Sequence, residues 1–361
     1  MGQEPEAFRT RRRETPARRG EESRNPRSAS KRSLPTSRET FRRLVLPLGA
    51  MHGLARAGRL GGMATLVIHG GAGRIDAARR DVYRAGLEAA LDAGFGVLDR
   101  GGSALDAVMA AVSCMEDNPA AFNAGTGSAL TSDGRVECDA AIMDDGGRAG
   151  AVACVTRIKN PVQLARQVLE QGAHVLFVGP GAETLTEHHV ENSSLITDGA
   201  LASWQRWREA NGAPEGSATC GAVALDDHGH LAAATSTGGV LGQHPGRVGD
   251  APIPGAGTWA DARVAVSCTG RGEAFLTTTA ARMLAVDLEA GVLPSHAVQE
   301  RLDAVRAAHG QGGLIAVQRD GTVLFGFDTT EMAWGWRRRT GGDALQGAWD
   351  VGAAPTVTVV P

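Results

Sequence analysis

Several residue types and patterns are scarce in this 361-residue sequence, and each scarcity excludes a class of protein. Aromatic residues make up only 4% of it, so there is little material for a surface that stacks on nucleic-acid bases. No apolar run approaches the length of a membrane span. The five cysteines are odd in number, widely scattered and without a C-x-x-C pair, which indicates neither a disulfide framework nor a zinc site. We therefore expect reduced cysteines in a cytoplasmic protein with no bound catalytic metal.

Familiar nucleotide and nucleophile motifs are also missing. The HGGAG, GTG and GPG stretches lack both the Lys-Ser/Thr pair of a phosphate loop and the spacing of a dinucleotide site. HGGAG resembles the oxyanion loop of lipases, but no G-x-S-x-G sequence accompanies it. His69 is therefore predicted to be structural. What the sequence does contain in excess is glycine, with 49 residues, which indicates many tight turns and close backbone contacts.

Charge is unevenly distributed along the chain. Residues 1–62 carry 15 Lys+Arg against 6 Asp+Glu, whereas residues 63–361 carry 22 against 34. The first segment has almost no apolar periodicity, so we expect a disordered basic extension or a start codon placed too early, with translation beginning at Met63. A twin-arginine export signal around Arg42 and Arg43 and a basic nucleic-acid arm are the alternatives. The acidic remainder argues against a nucleic-acid or anionic-membrane partner.

Apolar periodicity and turn residues predict the secondary structure of residues 63–361. Predicted helices are Arg80–Asp99, a helix capped by Ser103, Pro161–Gln171, Gly181–His188, Glu273–Ala290 and Ser295–His309. Predicted strands are Thr65–His69, Val175–Val178, Thr219–Asp226, His230–Thr237, Val264–Cys268, Leu314–Gln318 and Thr322–Phe327. Residues 201–217 are expected to form a polar linker. Because strands and helices come in blocks, stacked sheets flanked by helices fit better than a doubly wound parallel sheet.

Candidate chemistry is concentrated in residues 216–273. Thr219 begins one predicted strand, and Thr237 and Thr269 end two others, so three hydroxyls are expected at one edge of a sheet. Arg247 and Asp250 lie three residues apart in a glycine-rich loop. An arginine binds a carboxylate through two hydrogen bonds and an aspartate accepts from an ammonium, so this pair suits a zwitterionic amino acid. Asp139 and Asp144 are predicted to stabilise a turn.

The order of motifs in this region resembles the plant-type L-asparaginase and isoaspartyl peptidase family of N-terminal-nucleophile hydrolases. The matching sequences are V-I-H-G-G-A-G, F-N-A-G-x-G-x-x-x-T-S-D-G, T-x-G-A-V-A-L-D, L-A-A-A-T-S-T-G-G, P-G-R-V-G-D, S-C-T-G-x-G-E and G-G-L-I-A-V. The resemblance covers about Ala64 to Trp336. It implies an α+β fold, a four-layer α/β/β/α sandwich. It also implies one domain, residues 63–361, that cuts itself into an α chain of residues 63–218 and a β chain of residues 219–361.

The resemblance assigns the catalytic groups residue by residue. Thr219 is the nucleophile, and the bond cut lies between Ala218 and Thr219. Thr237 lies beside the nucleophile and tunes its hydroxyl. Thr269 and the backbone N–H of Gly270 form the oxyanion hole. Cys220 is intrinsically more nucleophilic than threonine, but its side chain should point to the opposite face of the strand, so it is predicted to lie in the core.

The same resemblance assigns substrate binding and accessory groups. Arg247 binds the substrate α-carboxylate, while Asp250 and the backbone of Gly272 hold the α-amino group. Asn123 supports the site from its glycine-rich loop. No cofactor is implied beyond a structural sodium ion held by the backbone near residues 115–126. A small-molecule or dipeptide substrate and a homodimer of autocleaved αβ units are expected.

Self-cleavage has a simple physical reason. A threonine hydroxyl is a poor nucleophile until a base accepts its proton. A free α-amino group, with a pKa of roughly 7.7–8.0, is such a base at neutral pH, whereas a peptide nitrogen is not. Cutting before Thr219 creates the amine, and its hydroxyl then attacks the side-chain amide of asparagine or of a β-aspartyl peptide.

Two positions depart from the family pattern and leave alternatives open. Ala218 stands where Gly or Asp usually precedes the nucleophile, so maturation could be slow. An unprocessed, catalytically silent paralogue that acts as a binding protein is therefore one alternative. Arg271 stands where a small residue is common, which leaves substrate preference open. The stretch DAPIPGAGTWAD also resembles glycosylasparaginases, a second alternative, although the TSTGG run favours asparaginase.

Overall fold

The computed structural model describes residues 62–210, 215–340, 344–353 and 356–361. The expected basic extension, residues 1–62, lies outside the described residues except for Gly62.

Helices and strands alternate in blocks along the described chain. The helices are α1 Arg80–Asp99, α2 Ala104–Glu116, α3 Pro161–Gln171, α4 Pro180–Glu183, α5 Asn192–Leu195, α6 Asp198–Glu209, α7 Gly272–Thr278, α8 Ala280–Glu289 and α9 Pro294–Ala307. The strands are β1 Ala64–Gly73, β2 Cys138–Asp144, β3 Ala149–Val155, β4 Leu176–Val178, β5 Glu215–Ser217, β6 Cys220–Leu225, β7 Leu231–Thr237, β8 Val240–Leu241, β9 Thr258–Ala260, β10 Val264–Gly270, β11 Gly312–Gln318, β12 Val323–Phe327, β13 Glu331–Thr340, β14 Ala344–Ala353 and β15 Thr356–Val360.

Two main sheets organise these strands. An eight-stranded sheet has the order β14-β13-β1-β6-β7-β2-β3-β4, and a five-stranded sheet has the order β15-β12-β11-β10-β9. Neighbours are antiparallel, apart from the parallel pair β3 and β4. β5 and β8 form a separate two-stranded ribbon. Strand β6 lies in the middle of the larger sheet, bonded to β1 on one side and β7 on the other.

Alternating side chains divide the core into three layers of packing. On β6, Cys220, Ala222 and Ala224 pack against α1, α2 and α3 on one face of the larger sheet. Val223 and Leu225 point the other way and meet the smaller sheet at Ile315, Val317 and Phe325. The far face of the smaller sheet is covered by α7, α8 and α9. The expected α+β, four-layer α/β/β/α sandwich is confirmed.

Four features of the secondary structure differ from the predictions. Residues 201–217 were expected to be a linker, but α6 runs from Asp198 to Glu209. None of the residues of α6 is buried, but Thr197 caps the helix by accepting a hydrogen bond from the backbone N–H of Ala200, and Trp204 packs against the core. The predicted helix Gly181–His188 is only the single turn α4. The strands β13 to β15 were not predicted.

The fourth difference concerns the predicted helix Glu273–Ala290, which is broken in two at Thr279. Thr279 has a φ of 47°, in the left-handed region. The break lets the backbone N–H groups of Ala281 and Arg282 donate to the carbonyls of Ala256 and Gly255. These hydrogen bonds attach the loop before β9 to the start of α8. No local sequence pattern predicts this tertiary contact.

Within the part of the chain that the structure describes, no helix combines the length and the apolar character needed to cross a membrane.

Candidate active site

Three threonine hydroxyls lie at the ends of strands, Thr219 and Thr237 in the larger sheet and Thr269 in the smaller one, so the expectation of one shared sheet edge was wrong for Thr269. Thr219 directly precedes β6, and its Oγ1 donates a 3.3 Å hydrogen bond to Oγ1 of Thr237, the last residue of β7. Thr269, near the end of β10 in the facing sheet, accepts a 3.3 Å bond from the backbone N–H of Ala72. All three threonines are at most 3% exposed. The cluster is therefore a buried set of hydroxyls where the two sheets meet.

The end of β1 connects these threonines. Gly71, at φ +113°, lies so close to Ala218 that a Cβ on Gly71 would come within 3.0 Å of the Ala218 Cβ. The next residue, Ala72, is the one that donates to Thr269. Gly71 thus contacts the residue on the amino side of Thr219, while its neighbour contacts the proposed oxyanion threonine. A glycine is needed here for both the backbone angle and the close approach.

His69 hydrogen-bonds the backbone of Thr219. Its Nδ1 lies 3.0 Å from the carbonyl oxygen of Thr219, and its Nε2 lies 2.8 Å from Oγ of Ser267. A carbonyl only accepts, so Nδ1 carries the proton and Nε2 accepts from the Ser267 hydroxyl. Burial lowers the pKa of His69 to about 3, against the weaker raising effect of the Thr219 carbonyl. The ring stays neutral and fixes the Thr219 backbone, a contact that sequence reasoning missed.

The predicted substrate-binding residues also come together. A Cβ on Gly272 would lie 2.8 Å from Nη2 of Arg247 and 3.0 Å from Oδ1 of Asp250. The opposite charges and the backbone at the start of α7 therefore line one small volume. Only a glycine leaves that volume open.

Arg247 is held by a residue that sequence reasoning did not single out. Glu273 Oε1 accepts 3.0 Å bonds from both Nε and Nη2 of Arg247, whose side chain is 18% exposed. Nη1 lies 3.4 Å from Oε1 of Gln243. Glu273 closes the S-C-T-G-x-G-E motif, so its position in that motif was the available signal. It fixes the guanidinium plane beside Asp250.

Asp250 is a buried carboxylate with spare hydrogen-bonding capacity. It is 3% exposed, and Oδ2 has no hydrogen-bond partner among the described residues. Burial raises its pKa to about 7, although a hydrogen bond from its own backbone and the charge of Arg247 act in the opposite direction. A buried acceptor without a partner is costly, and a substrate ammonium would supply the missing donor.

The loop that carries Arg247 and Asp250 is attached to strand β2. Asp139 Oδ2 accepts a 3.4 Å bond from the backbone N–H of Gly249, and its Oδ1 accepts from Cys154. The prediction that Asp139 stabilises a turn was wrong, because it lies within β2 and bonds to this distant loop. Asp144 does stabilise a turn, accepting from the backbone N–H groups of Gly146 and Arg148.

Asn123 supports the segment after β7. Its Nδ2 donates a 2.8 Å bond to the carbonyl of Gly239, and its Oδ1 accepts a 2.6 Å bond from Ala129. Its backbone carbonyl accepts from Gly238. These bonds fix the two residues that directly follow Thr237.

Cys220 faces away from the cluster. It is fully buried against the helices, and its Sγ lies 3.5 Å from the carbonyl of Ser236. Burial raises its pKa well above the ordinary range, so the thiol stays protonated and unreactive. The predicted core position of Cys220 is confirmed.

Backbone carbonyl oxygens converge near residues 115–126, where a structural sodium ion is predicted. Gly125 has a φ of +61°, and the carbonyl oxygens of Glu116 and Lys159 lie 2.8 and 2.6 Å from the point where its Cβ would be. Converging carbonyl oxygens are the ligands that hard cations prefer, so this cradle fits the ion. The sodium ion stays a prediction. Among the described residues, no cluster of His, Cys, Asp and Glu side chains has the make-up of a metal site.

Two stacked sheets between helix layers, with a buried threonine at the start of a central strand, match the N-terminal-nucleophile hydrolase sandwich. The profile of the family described as asparaginase matches residues 62–345. The chain therefore belongs to the asparaginase family, as the motifs predicted.

Characterised relatives share about two fifths of the sequence. An isoaspartyl peptidase/L-asparaginase of Danio rerio is 41% identical over 292 residues, covering 75% of this chain and 91% of the relative. The isoaspartyl peptidase of Escherichia coli K12 is 42% identical over 301 residues, 76% of this chain and 94% of the relative. A plant-type L-asparaginase of Pyrobaculum calidifontis is 42% identical over 295 residues, 76% and 97% respectively.

Proposed function

We propose that this chain is an autoproteolytically activated threonine amidohydrolase that hydrolyses L-asparagine, β-aspartyl dipeptides or both. The observation that carries the proposal is the buried hydrogen bond between the hydroxyls of Thr219 and Thr237 at the junction of β6 and β7. The names of the relatives, isoaspartyl peptidase and L-asparaginase, support the same reaction.

Substrate recognition follows from charge. The α-carboxylate of the substrate binds the guanidinium of Arg247, which Glu273 orients. The α-ammonium donates to Asp250, whose Oδ2 has no partner among the described residues, and to the backbone at Gly272. Both ends of the aspartyl group are thereby fixed, and its side-chain carbonyl is directed to Thr219.

Catalysis begins once the bond between Ala218 and Thr219 is cut. The new α-amine accepts the proton of the Thr219 hydroxyl, and Oγ1 attacks the side-chain carbonyl carbon. The Thr269 hydroxyl and the N–H of Gly270 stabilise the oxyanion, a contribution of about 10²–10³ in rate for each donor. The amine then protonates the leaving nitrogen, which leaves a β-aspartyl ester. Water, deprotonated by the same amine, cleaves the ester, releases aspartate and restores the hydroxyl.

The wider setting is part of the proposal. We expect a cytoplasmic homodimer of autocleaved αβ units acting on small-molecule or dipeptide substrates, with no cofactor beyond a structural sodium ion near residues 115–126. The scarcity of aromatic residues and the acidic charge of residues 63–361 support the absence of a nucleic-acid or membrane partner.

Intact mass spectrometry combined with ammonia release tests the proposal. The purified protein should separate into two chains divided before Thr219 and should release ammonia from asparagine and aspartate from β-aspartyl dipeptides. Thr219→Ala should stay whole and inactive. Cys220→Ala is the matched control, since it removes the neighbouring, more nucleophilic side chain, and it should cut itself and turn over substrate. An uncut protein with full activity, or an active Thr219→Ala variant, would refute the nucleophile assignment.

A further inference from the structure

A cavity of about 600 Å³ opens on the amino side of Thr219. Its inner wall includes Gly71, Asn123 and Ala218, the residue just before the nucleophile. Its outer wall includes the start of α1 and the exposed helix α6. The volume falls within the range of ordinary small-molecule sites, and Ala218 joins it to the threonine cluster.

The charge of this cavity is opposite to that of the rest of the domain. Arg74, Arg79 and Arg206 line it, and none of the described lining residues is acidic. None of these three guanidinium groups forms a salt bridge with a described carboxylate. Residues 63–361 nevertheless carry 34 acidic against 22 basic residues. The charge of Arg74 helps to lower the pKa of Glu331, but that carboxylate is already paired with Arg80, so the cavity keeps an excess of positive charge that suits an anionic ligand.

The three arginines are not equally available. The Arg79 guanidinium donates to the carbonyl of Ala120 and lies over the ring of Tyr83, so it is anchored. Arg74 is exposed, and Arg206 donates a hydrogen bond from Nη2 to Oγ of Ser203 on the same helix. Arg74 and Arg206 therefore retain most of their donors for a ligand.

The position relative to the scissile bond identifies the ligand. Arg247 and Asp250, which would hold the aspartyl end of a substrate, do not line this cavity. Ala72, which donates to Thr269, and Ala218, which precedes Thr219, do line it, so the group on the other side of the scissile amide would point into it. For asparagine that group is ammonia. For a β-aspartyl dipeptide it is an amino acid with a free α-carboxylate.

We infer that the Arg74–Arg79–Arg206 cavity is a leaving-group subsite that binds the α-carboxylate of the residue released from a β-aspartyl dipeptide. The inference rests on the proposed hydrolase function. It makes this chain selective for dipeptides over asparagine, because the second carboxylate gains charge-assisted hydrogen bonds that asparagine cannot form. The same chemistry could be supplied by the new carboxylate of Ala218 after cleavage, and the experiment separates these two sources.

The test compares three substrates on the mature, cleaved enzyme: β-aspartyl-leucine, its C-terminal amide, and asparagine. The wild type should have a lower KM for the free acid than for the amide. The Arg74→Ala/Arg206→Ala double variant should lose that difference, and its kcat/KM for β-aspartyl-leucine relative to asparagine should fall about tenfold or more. Arg208→Ala is the matched control, since Arg208 lies on the same helix but stacks on Trp204, outside the cavity. Its substrate ratios should equal those of the wild type.

Two outcomes overturn the inference. Equal KM values of the wild type for β-aspartyl-leucine and its C-terminal amide would show that no group binds the carboxylate. A double variant that alters only the extent of self-cleavage, with unchanged substrate ratios, would assign the arginines to the Ala218 carboxylate instead. Failure of the proposed function is distinguishable, because then the wild type would hydrolyse none of the three substrates.

Discussion

Replacing Asp250 by Asn, a neutral side chain of nearly the same shape, should stabilise the fold at alkaline pH while weakening substrate binding. Burial raises the pKa of Asp250 from 3.8 to about 7. Below pH 3.8 the carboxyl is protonated in folded and unfolded chains alike, so its burial as a charged group does not lower the free energy of unfolding. As pH rises from there to about 7, the unfolded chain loses the proton first and stability declines. Above pH 7 the full cost is present.

Burial of the ionised Asp250 carboxylate lowers the free energy of unfolding by an amount that follows from its pKa. A pKa difference of about three pH units corresponds to about 4 kcal/mol, taken as an upper limit for this single carboxylate. For a domain of this size, that equals a rise in Tm of up to roughly 8 °C when the charge is removed. The comparison is best made in a Thr219→Ala background, where the chain stays whole and unfolding follows one polypeptide.

Thermal unfolding followed by circular dichroism at pH 5, 7 and 8.5 measures the effect. Asp250→Asn should raise the Tm at pH 8.5, and the gain should shrink towards pH 5. Asp81→Asn, which removes a carboxylate whose side chain is 94% exposed, is the control for the loss of one negative charge. In the mature enzyme, Asp250→Asn should lower kcat/KM about a hundredfold or more, because the substrate ammonium loses its counter-charge. A Tm gain of the same size at all three pH values would refute the burial argument.

Three further changes test other parts of the site. Gly270→Ala should abolish turnover, because Gly270 has a φ of +142° and an added Cβ would lie 2.3 Å from the carbonyl oxygen of Gln311. Steady-state assays on refolded protein measure this, and a retained kcat would contradict the oxyanion role. Ala218→Gly should speed self-cleavage severalfold by relaxing the backbone at the cut, as a time course on denaturing gels would reveal. An unchanged rate would contradict the hypothesis that Ala218 slows self-cleavage. Asp139→Asn should raise KM with little change in kcat, because the backbone N–H of Gly249 loses an ionised acceptor. A loss in kcat alone would contradict the role of Asp139 in positioning the substrate-binding loop.

The sequence predicted the pairing of Thr219 with Thr237 because its signal is local. Each flanks an apolar run, and adjacent antiparallel strands bring these ends to one edge of a sheet. Thr269 also flanks an apolar run, but its strand belongs to the facing sheet, which no local pattern indicates. Cys220 was placed correctly for the same reason, since alternation along a strand decides its face. Blocks of strands and helices favoured stacked sheets flanked by helices, and the family resemblance implied the four-layer order.

What could not be predicted depends on contacts between distant segments. Glu273 orients Arg247 across 26 residues, and His69 reaches the Thr219 carbonyl across 150. Neither pair has a spacing that any local period would reveal. Helix α6 was missed because its sequence is polar on average and none of its residues is buried, although Leu201 and Trp204 are spaced as on one helix face. The arginine cavity combines α6 with the turn after β1, which only the folded chain brings together.

The central place of β6 has a consequence for the proposed cut before Thr219. New chain ends ordinarily fray, because the backbone beside a break loses its neighbours. Thr219, which would follow the proposed cut, leads into a strand flanked on both sides, and the His69 ring hydrogen-bonds its carbonyl. If the chain is cut there, the new terminus would stay in place, and the reactive amine would form without loss of its alignment.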